Sequence, residues 1–425
     1  MRFLFSLLLT LVLAAPAFAD TNLIYAGTLF VSPGQEPLKE QTIVVKDGRI
    51  SEVKNGFVRP SSGMRVYDLR NQFVLPGLID CHVHILNELG PKSKIQATED
   101  TDAFLSLRGA FHAWRTLRAG FTTVRDLGER SNAIFALKRA IAEGMIAGPR
   151  ILVAGSTLSP TGGHAQTYGY RDEINALFAS TGVCNGVEDC RRATRLQISR
   201  GADVIKLVAT GGVLSDIKAG VDQQFTDDEL QSIVKTAHGL GRKVAAHAHG
   251  VGGLNAALRA GVDSIEHGSY LDSDSISLFR RTGAYLVPTV IAGVTAAEFA
   301  RTGGFLSDAQ KAKALQVGPI IQGALRKAYQ GGVKIAFGTD SGVSAHGQNA
   351  KEFSLMVGAG MPPVEALKAA TVNAADLLDL SASIGTIEVG KIADIIAVAQ
   401  DPTKNIKVME RVGFVMRSGT VYVNL

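Results

Sequence analysis

The sequence predicts an α/β protein, built as a (β/α)8 TIM barrel with a small β-sandwich domain that both chain ends form together. Three observations lead to this prediction. Eight short apolar runs alternate with helical patterns across residues 76–383, whereas residues 20–75 and 384–425 contain short strands separated by turns. The chain has 425 residues, of which 46% are hydrophobic, which is enough for one large core and an accessory domain.

The first 19 residues have the pattern of a cleaved secretory signal peptide. Arg2 precedes an apolar run over residues 3–15, and Ala17-Phe18-Ala19 is a small-x-small cleavage sequence. The run is shorter than the ~20 apolar residues that span a bilayer, which argues against a membrane anchor. We therefore expect an exported protein, periplasmic or secreted, that begins near Asp20.

The charge of the chain gives no indication of a polyanionic partner. The net charge is +5, and it falls to +4 when the signal peptide, which contains Arg2, is removed. No basic cluster is interleaved with aromatic residues, so the sequence argues against a nucleic-acid partner and, after signal cleavage, against a membrane. We expect a small-molecule substrate, and the sequence leaves a homo-oligomer open.

Three cysteines allow one local disulfide. Cys81 lies within a buried strand pattern, while Cys184 and Cys190 are six residues apart in a loop that leads into a helix. In an oxidising compartment these two could form a disulfide, and they could equally be two unrelated free thiols.

The chain ends have the pattern of short strands joined by tight turns. Asp47-Gly48 lies between two apolar runs within residues 42–53, which is a strong hairpin signal. Residues 395–398, 412–416 and 420–423 repeat this pattern near the C-terminus. Such short strands are not stable alone, so we expect the two ends to pair into one small domain.

The middle of the chain has the alternation of a barrel. The first strand ends in His82 and His84, and the others are residues 122–125, 150–154, 204–208, 243–249, 264–267, 285–287 and 334–337. The clearest helical patterns between them are residues 102–119, 132–143, 188–200, 227–240 and 254–260. In such a barrel the catalytic groups lie at the carboxyl ends of the strands.

Seven of the nine histidines fall at strand ends or in the loops that follow. They are His82, His84, His164, His247, His249, His267 and His346. The other two, His112 and His238, lie in helical patterns and are interpreted as surface or packing residues. Because i and i+2 face the same side of a strand, His82 and His84 can bind one cation together. The distribution predicts a metal centre at the barrel mouth.

Two further residues belong to the same pattern. Lys206 interrupts an apolar strand, where an unpaired ammonium is costly, so it requires an anionic partner, neutralisation or covalent modification. Asp340 ends the eighth strand and can offer a carboxylate to a metal. The alternatives are a buried salt bridge for Lys206 and a helix N-cap for Asp340.

These residues together resemble the amidohydrolase superfamily. His82-Val-His84, Lys206, His247, His267 and Asp340 match its pattern on strands one, four, five, six and eight. The segments around Lys206, His247 and Thr161-Gly-Gly-His164 are similar to the imidazolonepropionase-related branch, which includes prolidase-like and Xaa-Arg/Lys dipeptidases and ochratoxin-type amidases. Lys206 argues against imidazolonepropionase activity itself, since that one-metal enzyme lacks this lysine.

The resemblance implies a centre of two divalent cations, for which zinc is the ion we expect. Its ligands would be His82, His84, His247, His267, Asp340 and a carboxylated Lys206 that bridges both ions. On strand five either His247 or His249 could be the ligand. By analogy we assign His247 to the metal and place His249 near the substrate carbonyl. His164, in a Gly-rich loop, would bind a substrate carboxylate.

The expected activity is hydrolysis of the amide bond of a dipeptide or an N-acyl amino acid. A metal-bridging hydroxide would attack the carbonyl, with Asp340 as general base and then general acid. A lactonase or another hydrolase of cyclic amides or esters is the alternative. A periplasmic binder that has lost catalysis is a third hypothesis, but it should lack a ligand or the base, and both Lys206 and Asp340 are present.

Overall fold

The computed structural model describes residues 21–168, 170–216 and 220–425. The predicted signal peptide, residues 1–19, lies outside the described residues. The strands are β1 (Thr21–Leu29), β2 (Leu38–Lys46), β3 (Arg49–Asn55), β4 (Arg65–Pro76), β5 (Leu78–Val83), β6 (Phe121–Asp126), β7 (Arg150–Val153), β8 (Val204–Val208), β9 (Lys243–Ala248), β10 (Ser264–His267), β11 (Tyr285–Val287), β12 (Lys334–Ile335), β13 (Ile395–Val398), β14 (Phe414–Arg417) and β15 (Thr420–Asn424).

Helices connect the strands of the middle segment. They are α1 (Ser93–Glu99), α2 (Asp102–Arg118), α3 (Ala133–Ala142), α4 (Asp172–Leu177), α5 (Val187–Ser199), α6 (Asp227–Gly239), α7 (Val251–Ala260), α8 (Ser273–Thr282), α9 (Val290–Thr302), α10 (Asp308–Gln330), α11 (Lys351–Gly358), α12 (Pro363–Ala369) and α13 (Val372–Leu377). A short 3-10 helix follows at Ile406–Glu410. Within the described part of the chain, no helix has both the length and the apolar character needed to cross a membrane.

Strands from the two chain ends form one seven-stranded sheet. Its order is β15-β14-β13-β4-β1-β2-β3, in which β1 and β4 run parallel and the other neighbours are antiparallel. The sheet has its own core, which includes Ile24, Val45, Leu69, Ile395 and Phe414. Among the described residues a second sheet facing it is not seen, so the sandwich is not confirmed. The domain boundaries at residues 75 and 384 stay predictions.

Two tight turns of this sheet pack against each other. Asp47 and Gly48 join β2 to β3 with φ of 51° and 75°, and Ser418 and Gly419 join β14 to β15 with φ of 49° and 80°. A Cβ atom on Gly48 would lie 2.8 Å from the carbonyl oxygen of Ser418. Glycine at position 48 therefore provides both the left-handed backbone and the close approach.

The eight parallel strands of the middle segment form two sheets. One has the order β12-β11-β10-β9-β8 and the other β5-β6-β7. Hydrogen bonds connect the two sheets on both sides: Leu158 N donates to Lys206 O at 2.8 Å, and His84 N donates to Ser341 O at 2.7 Å. β5 and β8 are buried along their whole length, as expected for parallel strands covered by helices. Their carboxyl ends point to the same side of the fold.

The loop before α5 contains a disulfide between Cys184 and Cys190, whose Cα atoms are 4.9 Å apart. Of the two interpretations that the sequence left open, the structure has the disulfide. Cys81 is a buried free thiol on β5.

Candidate metal centre

A cavity of about 640 Å³ opens at the carboxyl ends of the parallel strands. All eight residues that the sequence analysis assigned to the site line it. They are His82, His84, His164, Lys206, His247, His249, His267 and Asp340. The fold thus brings together side chains that are up to 258 positions apart in the chain.

His82, His84 and Asp340 form the first group of donor atoms. Asp340 Oδ1 lies 3.4 Å from His82 Nε2 and 3.3 Å from His84 Nε2. Burial lowers the pKa of His84, but the hydrogen bond and charge of Asp340 outweigh this effect and raise it to about 9. Burial raises the pKa of Asp340, yet the neighbouring imidazoles together bring it below its ordinary value. Asp340 is therefore an ionised carboxylate.

A buried ion pair between Glu266 and Arg125 orients the ring of His82. His82 Nδ1 donates to Glu266 Oε2 at 2.9 Å, and Arg125 Nη2 donates to Glu266 Oε1 at 2.9 Å. Burial raises the pKa of Glu266, but the charge of Arg125 and the hydrogen bond from His82 lower it to about 2. The proton of His82 is thereby held on Nδ1, and Nε2 faces the cavity with its lone pair.

His247, His249 and His267 form the second group, with one ligand atom from each within 4.8 Å of the others. His267 Nδ1 lies 2.7 Å from Thr289 Oγ1, whose own hydroxyl donates to Pro288 O. The imidazole must therefore donate from Nδ1, which leaves Nε2 free to bind a cation.

His247, in β9, and His249, directly after β9, differ in which ring nitrogen makes a hydrogen bond. His247 Nε2 lies 3.4 Å from Gly211 O, so its Nδ1 is the atom left for a ligand. His249 Nδ1 lies 2.8 Å from Ser269 Oγ, so its Nε2 is left. Both rings are buried and both belong to the second group. The assignment of His247 to the metal stays a prediction.

Lys206 comes from β8 and lines the cavity. It is buried, and among the described residues no hydrogen bond or ion pair within 4.0 Å reaches its ammonium group. Burial lowers the pKa of Lys206 to about 8, while Glu266 and Asp340 act in the opposite direction. The alternative of a direct salt bridge therefore has no partner in the described structure.

Three residues around the cavity have a left-handed backbone although they are not glycine. The φ values are 75° for His267, 47° for Thr289 and 56° for Asp340. Such conformations are uncommon, above all for a β-branched residue such as Thr289, and they cluster at functional sites. The backbone thus positions two candidate ligands and the hydroxyl that orients one of them.

His164 lies against the second group. Its ring centroid is 4.3 Å from that of His247, and its Nδ1 is 2.6 Å from Ser215 Oγ. A Cβ atom on Gly212 would lie 2.1 Å from the ring, so only glycine leaves room for it. Burial, with the charges of His249 and Lys206, lowers the pKa of His164 to about 3, and the ring is therefore neutral at pH 7.

His346 is the one histidine of the seven that does not line the cavity. Its ring stacks on His112 with centroids 4.3 Å apart, and its Nε2 donates to Asn87 O at 2.8 Å. His112, from α2, donates from Nδ1 to Ile85 O at 2.9 Å. These two rings fix the segment that follows β5, and the interpretation of His112 as a packing residue agrees with its burial.

Sequence reasoning missed the residues that support the ligands. Glu266, Arg125 and Thr289 are buried and polar, and the first two interrupt strand patterns as Lys206 does. Asp80, also buried, accepts hydrogen bonds from Thr339 and Asn349 and so links β5 to the segment that follows β12. A charged residue within an apolar strand is a signal that could have identified Glu266 and Arg125.

The donor set suits a divalent cation. It consists of imidazole nitrogens and a carboxylate, which are ligands that zinc prefers. The opposite ring nitrogen is held by a hydrogen bond of 2.7–2.9 Å in four of the histidines: His82, His84, His249 and His267. Fold and site together define the class of the protein: an α/β protein of parallel strands whose carboxyl ends carry a candidate metal centre.

The chain belongs to the amidohydrolase family, whose model matches residues 73–422. It is 34% identical over 421 residues to ochratoxinase from Aspergillus niger, covering 94% of this chain and 85% of that protein. It is 26% identical over 388 residues to imidazolonepropionase from Sphingopyxis alaskensis, covering 84% and 86%. A solved structure of a Xaa-Pro dipeptidase with bound methionine in the active site has 40% identity and a TM-score of 0.89, covering 95% of this chain and all of that chain.

The resemblance to this superfamily and to its imidazolonepropionase-related branch is confirmed. The similarity to solved relatives also supports an α/β TIM-barrel fold for the middle segment. The protein is a hydrolase of this family, and the family supports amide hydrolysis as its general activity.

Proposed function

We propose that the protein is a metal-dependent hydrolase that cleaves the amide bond of a dipeptide or an N-acyl amino acid. One observation carries the proposal: two groups of donor atoms face one cavity, with the carboxylate of Asp340 beside the first group. The relatives named ochratoxinase and Xaa-Pro dipeptidase support an amide substrate.

Two divalent cations, which we expect to be zinc, would be held by the two donor groups. His82, His84 and Asp340 would serve one ion and His247 and His267 the other, with Lys206 between them as a carbamate. Bound there, the ions would supply Lewis acidity and lower the pKa of a water molecule. The low amine pKa of Lys206 and its lack of an acidic partner among the described residues support carboxylation.

The residues of the chain have distinct tasks in this proposal. Asp340, ionised and 3.3 Å from His84, accepts the proton of the attacking water and passes it to the leaving amine. His249 can donate from Nε2 to the oxygen of the scissile carbonyl if Ser269 donates its hydroxyl proton to Nδ1. His164, which lines the cavity, is the residue that the sequence analysis assigned to a substrate carboxylate.

The test is a panel of chromogenic amides, esters and lactones, assayed with the purified protein after zinc is added. We expect the highest kcat/KM on peptide and N-acyl amino acid amides. Faster turnover of lactones or esters would assign the same site to that alternative, and binding without turnover on every substrate would indicate a binder. Chelation should abolish turnover, and zinc should restore it.

We also propose that the protein is exported. The pattern of residues 1–19 and the disulfide between Cys184 and Cys190 support an oxidising compartment. N-terminal sequencing of protein recovered from the periplasm or medium should find Asp20 first. An intact Met1 in cytoplasmic protein would contradict this.

A further inference from the structure

We infer that Arg130 binds the carboxylate of the substrate and that helices α9 and α10 hold a large apolar group of it. This inference rests on the proposed function and narrows it to peptides or N-acyl amino acids with a free carboxylate and a bulky apolar side. Two features of the cavity beyond the donor groups carry it.

The first feature is the position of Arg130 on the cavity wall. It lies two residues after Gly128, whose carbonyl accepts a hydrogen bond from His84 Nδ1 at 2.9 Å. Arg130 is therefore only two positions along the chain from the residue that holds His84, a member of the first donor group. Arg130 is an exposed residue of this wall, so it can meet a charged group that enters with a substrate.

A further argument for this position is that Arg130 has no acidic partner among the described residues. In the described ranges its guanidinium donates to the hydroxyl of Thr167, and no carboxylate lies within 4.0 Å of it. Arg108, on the same wall, forms an ion pair with Asp100 and donates to Leu86 O at 2.9 Å. A guanidinium that keeps its charge and has donors to spare is suited to bind a carboxylate through two parallel hydrogen bonds.

His164 is less well suited to this task, although it lines the same cavity. Its Nδ1 is engaged by Ser215, and its ring lies against His247. One ring nitrogen is left, which can make one hydrogen bond, whereas Arg130 offers a fork of donors. The assignment to Arg130 therefore competes with the assignment to His164, and the two can be separated by mutation.

The second feature is an apolar wall that comes from two packed helices. α9 contributes Ala292 and Ala296, and α10 contributes Ala314, Val317 and Ile321, all buried and all lining the cavity. The helices approach closely because a Cβ atom on Gly318 would lie only 2.8 Å from Gly293 O. These five side chains are apolar and three of them are alanine, so the wall has space for an apolar group of the substrate.

Arg130→Gln tests the carboxylate site, with phenylalanyl-leucine and its C-terminal amide as substrates of the zinc-loaded enzyme. KM for the free acid should rise at least about 10-fold, because only the acid loses a charge-assisted hydrogen bond, and KM for the amide should change less than about 2-fold. Arg130→Lys should lie between. Arg139→Gln, an exposed arginine away from the cavity, is the control.

Equal effects on acid and amide would overturn the inference, and an acid-specific loss in His164→Ala with none in Arg130→Gln would return the carboxylate to His164. Calorimetry with leucine and leucinamide gives a readout independent of turnover. If the enzyme cleaves no peptide, the proposed function fails, whereas a preference for leucine that Arg130→Gln removes would still support the site.

Ala296→Leu tests the apolar wall. It should lower kcat/KM for phenylalanyl-leucine about 10-fold or more and change alanyl-alanine less than about 2-fold, because the larger side chain fills the space for the bulky group. Ala300→Leu, the same substitution at a half-buried position of α9 that is not on the cavity wall, is the control. Equal losses on both substrates in a folded Ala296→Leu protein would contradict this part of the inference.

Discussion

At the scale of single residues, the roles proposed for His247 and His249 predict opposite effects of mutation. If His247 binds metal through Nδ1 and His249 only polarises the carbonyl, His247→Asn should lower the metal content of purified protein. His249→Asn should keep the metal and lose turnover. Metal analysis by mass spectrometry checks both, and the reverse pattern would exchange the two roles.

Lys206 provides the test of the two-ion arrangement. Lys206→Ala should lose activity and bridged metal, because the substitution removes the carbamate that we propose as the bridging ligand. Acetate or propionate should partly restore both by filling the vacated space. Apo protein without bicarbonate should reactivate slowly with metal and faster after bicarbonate is added. Full metal occupancy and near-native turnover in Lys206→Ala would make Lys206 a structural residue.

The positions of candidate ligands could be read from the sequence because each ends or interrupts an apolar strand, as Lys206 and His267 do. The residues that make hydrogen bonds to these ligands could not be predicted from the sequence. Glu266 contacts Arg125 from 141 positions away and His82 from 184 positions away, and such contacts depend on how the strands are arranged in space. The nitrogen that each ring offers also depends on neighbours such as Thr289, which sequence does not place.

At the scale of elements, helix α8 depends on its N-cap. Asp272 Oδ1 accepts from Ser275 N at 2.8 Å, and this hydrogen bond lowers the pKa of Asp272. A carboxyl group whose pKa is lower in the folded than in the unfolded state stabilises above about pH 4 and loses that effect as the pH falls. Asp272→Ala should therefore cost about 1 kcal/mol at pH 7.

Thermal unfolding from pH 7 to pH 3 measures this effect. The difference in Tm between the native protein and Asp272→Ala should shrink as the pH falls. Asp274→Ala, in the same first turn but not the capping residue, serves as the control. A Tm difference that stays constant over the pH range would mean that the charge of Asp272 is not involved.

Element bounds followed from the sequence where the strands are buried on both faces. Val204–Val208, Ser264–His267 and Tyr285–Val287 have the predicted ends. Helix α7 begins at Val251 rather than at residue 254. Gly253 lies within the helix, and a Cβ atom on it would be 2.6 Å from the carbonyl oxygen of Ala209, the residue after β8. From the sequence alone, a glycine that is required for close packing is easily interpreted as a residue that interrupts a helix.

At the scale of the whole molecule, a buried carboxylate joins the seven-stranded sheet to the parallel strands. Asp394 Oδ2 accepts from Arg150 Nη1 at 2.8 Å, and its Oδ1 accepts from Ser418 N at 2.8 Å. Asp394→Ala should destabilise the protein by about 2–3 kcal/mol, because it leaves Arg150 without its partner between the two layers.

Thermal unfolding of Asp394→Ala checks this, with Glu143→Ala as the control because it removes only a surface ion pair with Arg139. If both variants unfold at the native temperature, the contact between the layers does not depend on Asp394. The sequence predicted that the two chain ends pair but not this contact, since nothing in the pattern around Asp394 distinguishes it from a turn residue.

The left-handed backbone at His267, Thr289 and Asp340 has a consequence for the evolution of related sequences. Each such conformation costs on the order of 1–3 kcal/mol, which glycine would not incur. A descendant released from catalysis would therefore gain stability by placing glycine at these positions. Glycine at these three positions would therefore identify, from sequence alone, family members that keep the fold but have lost catalysis.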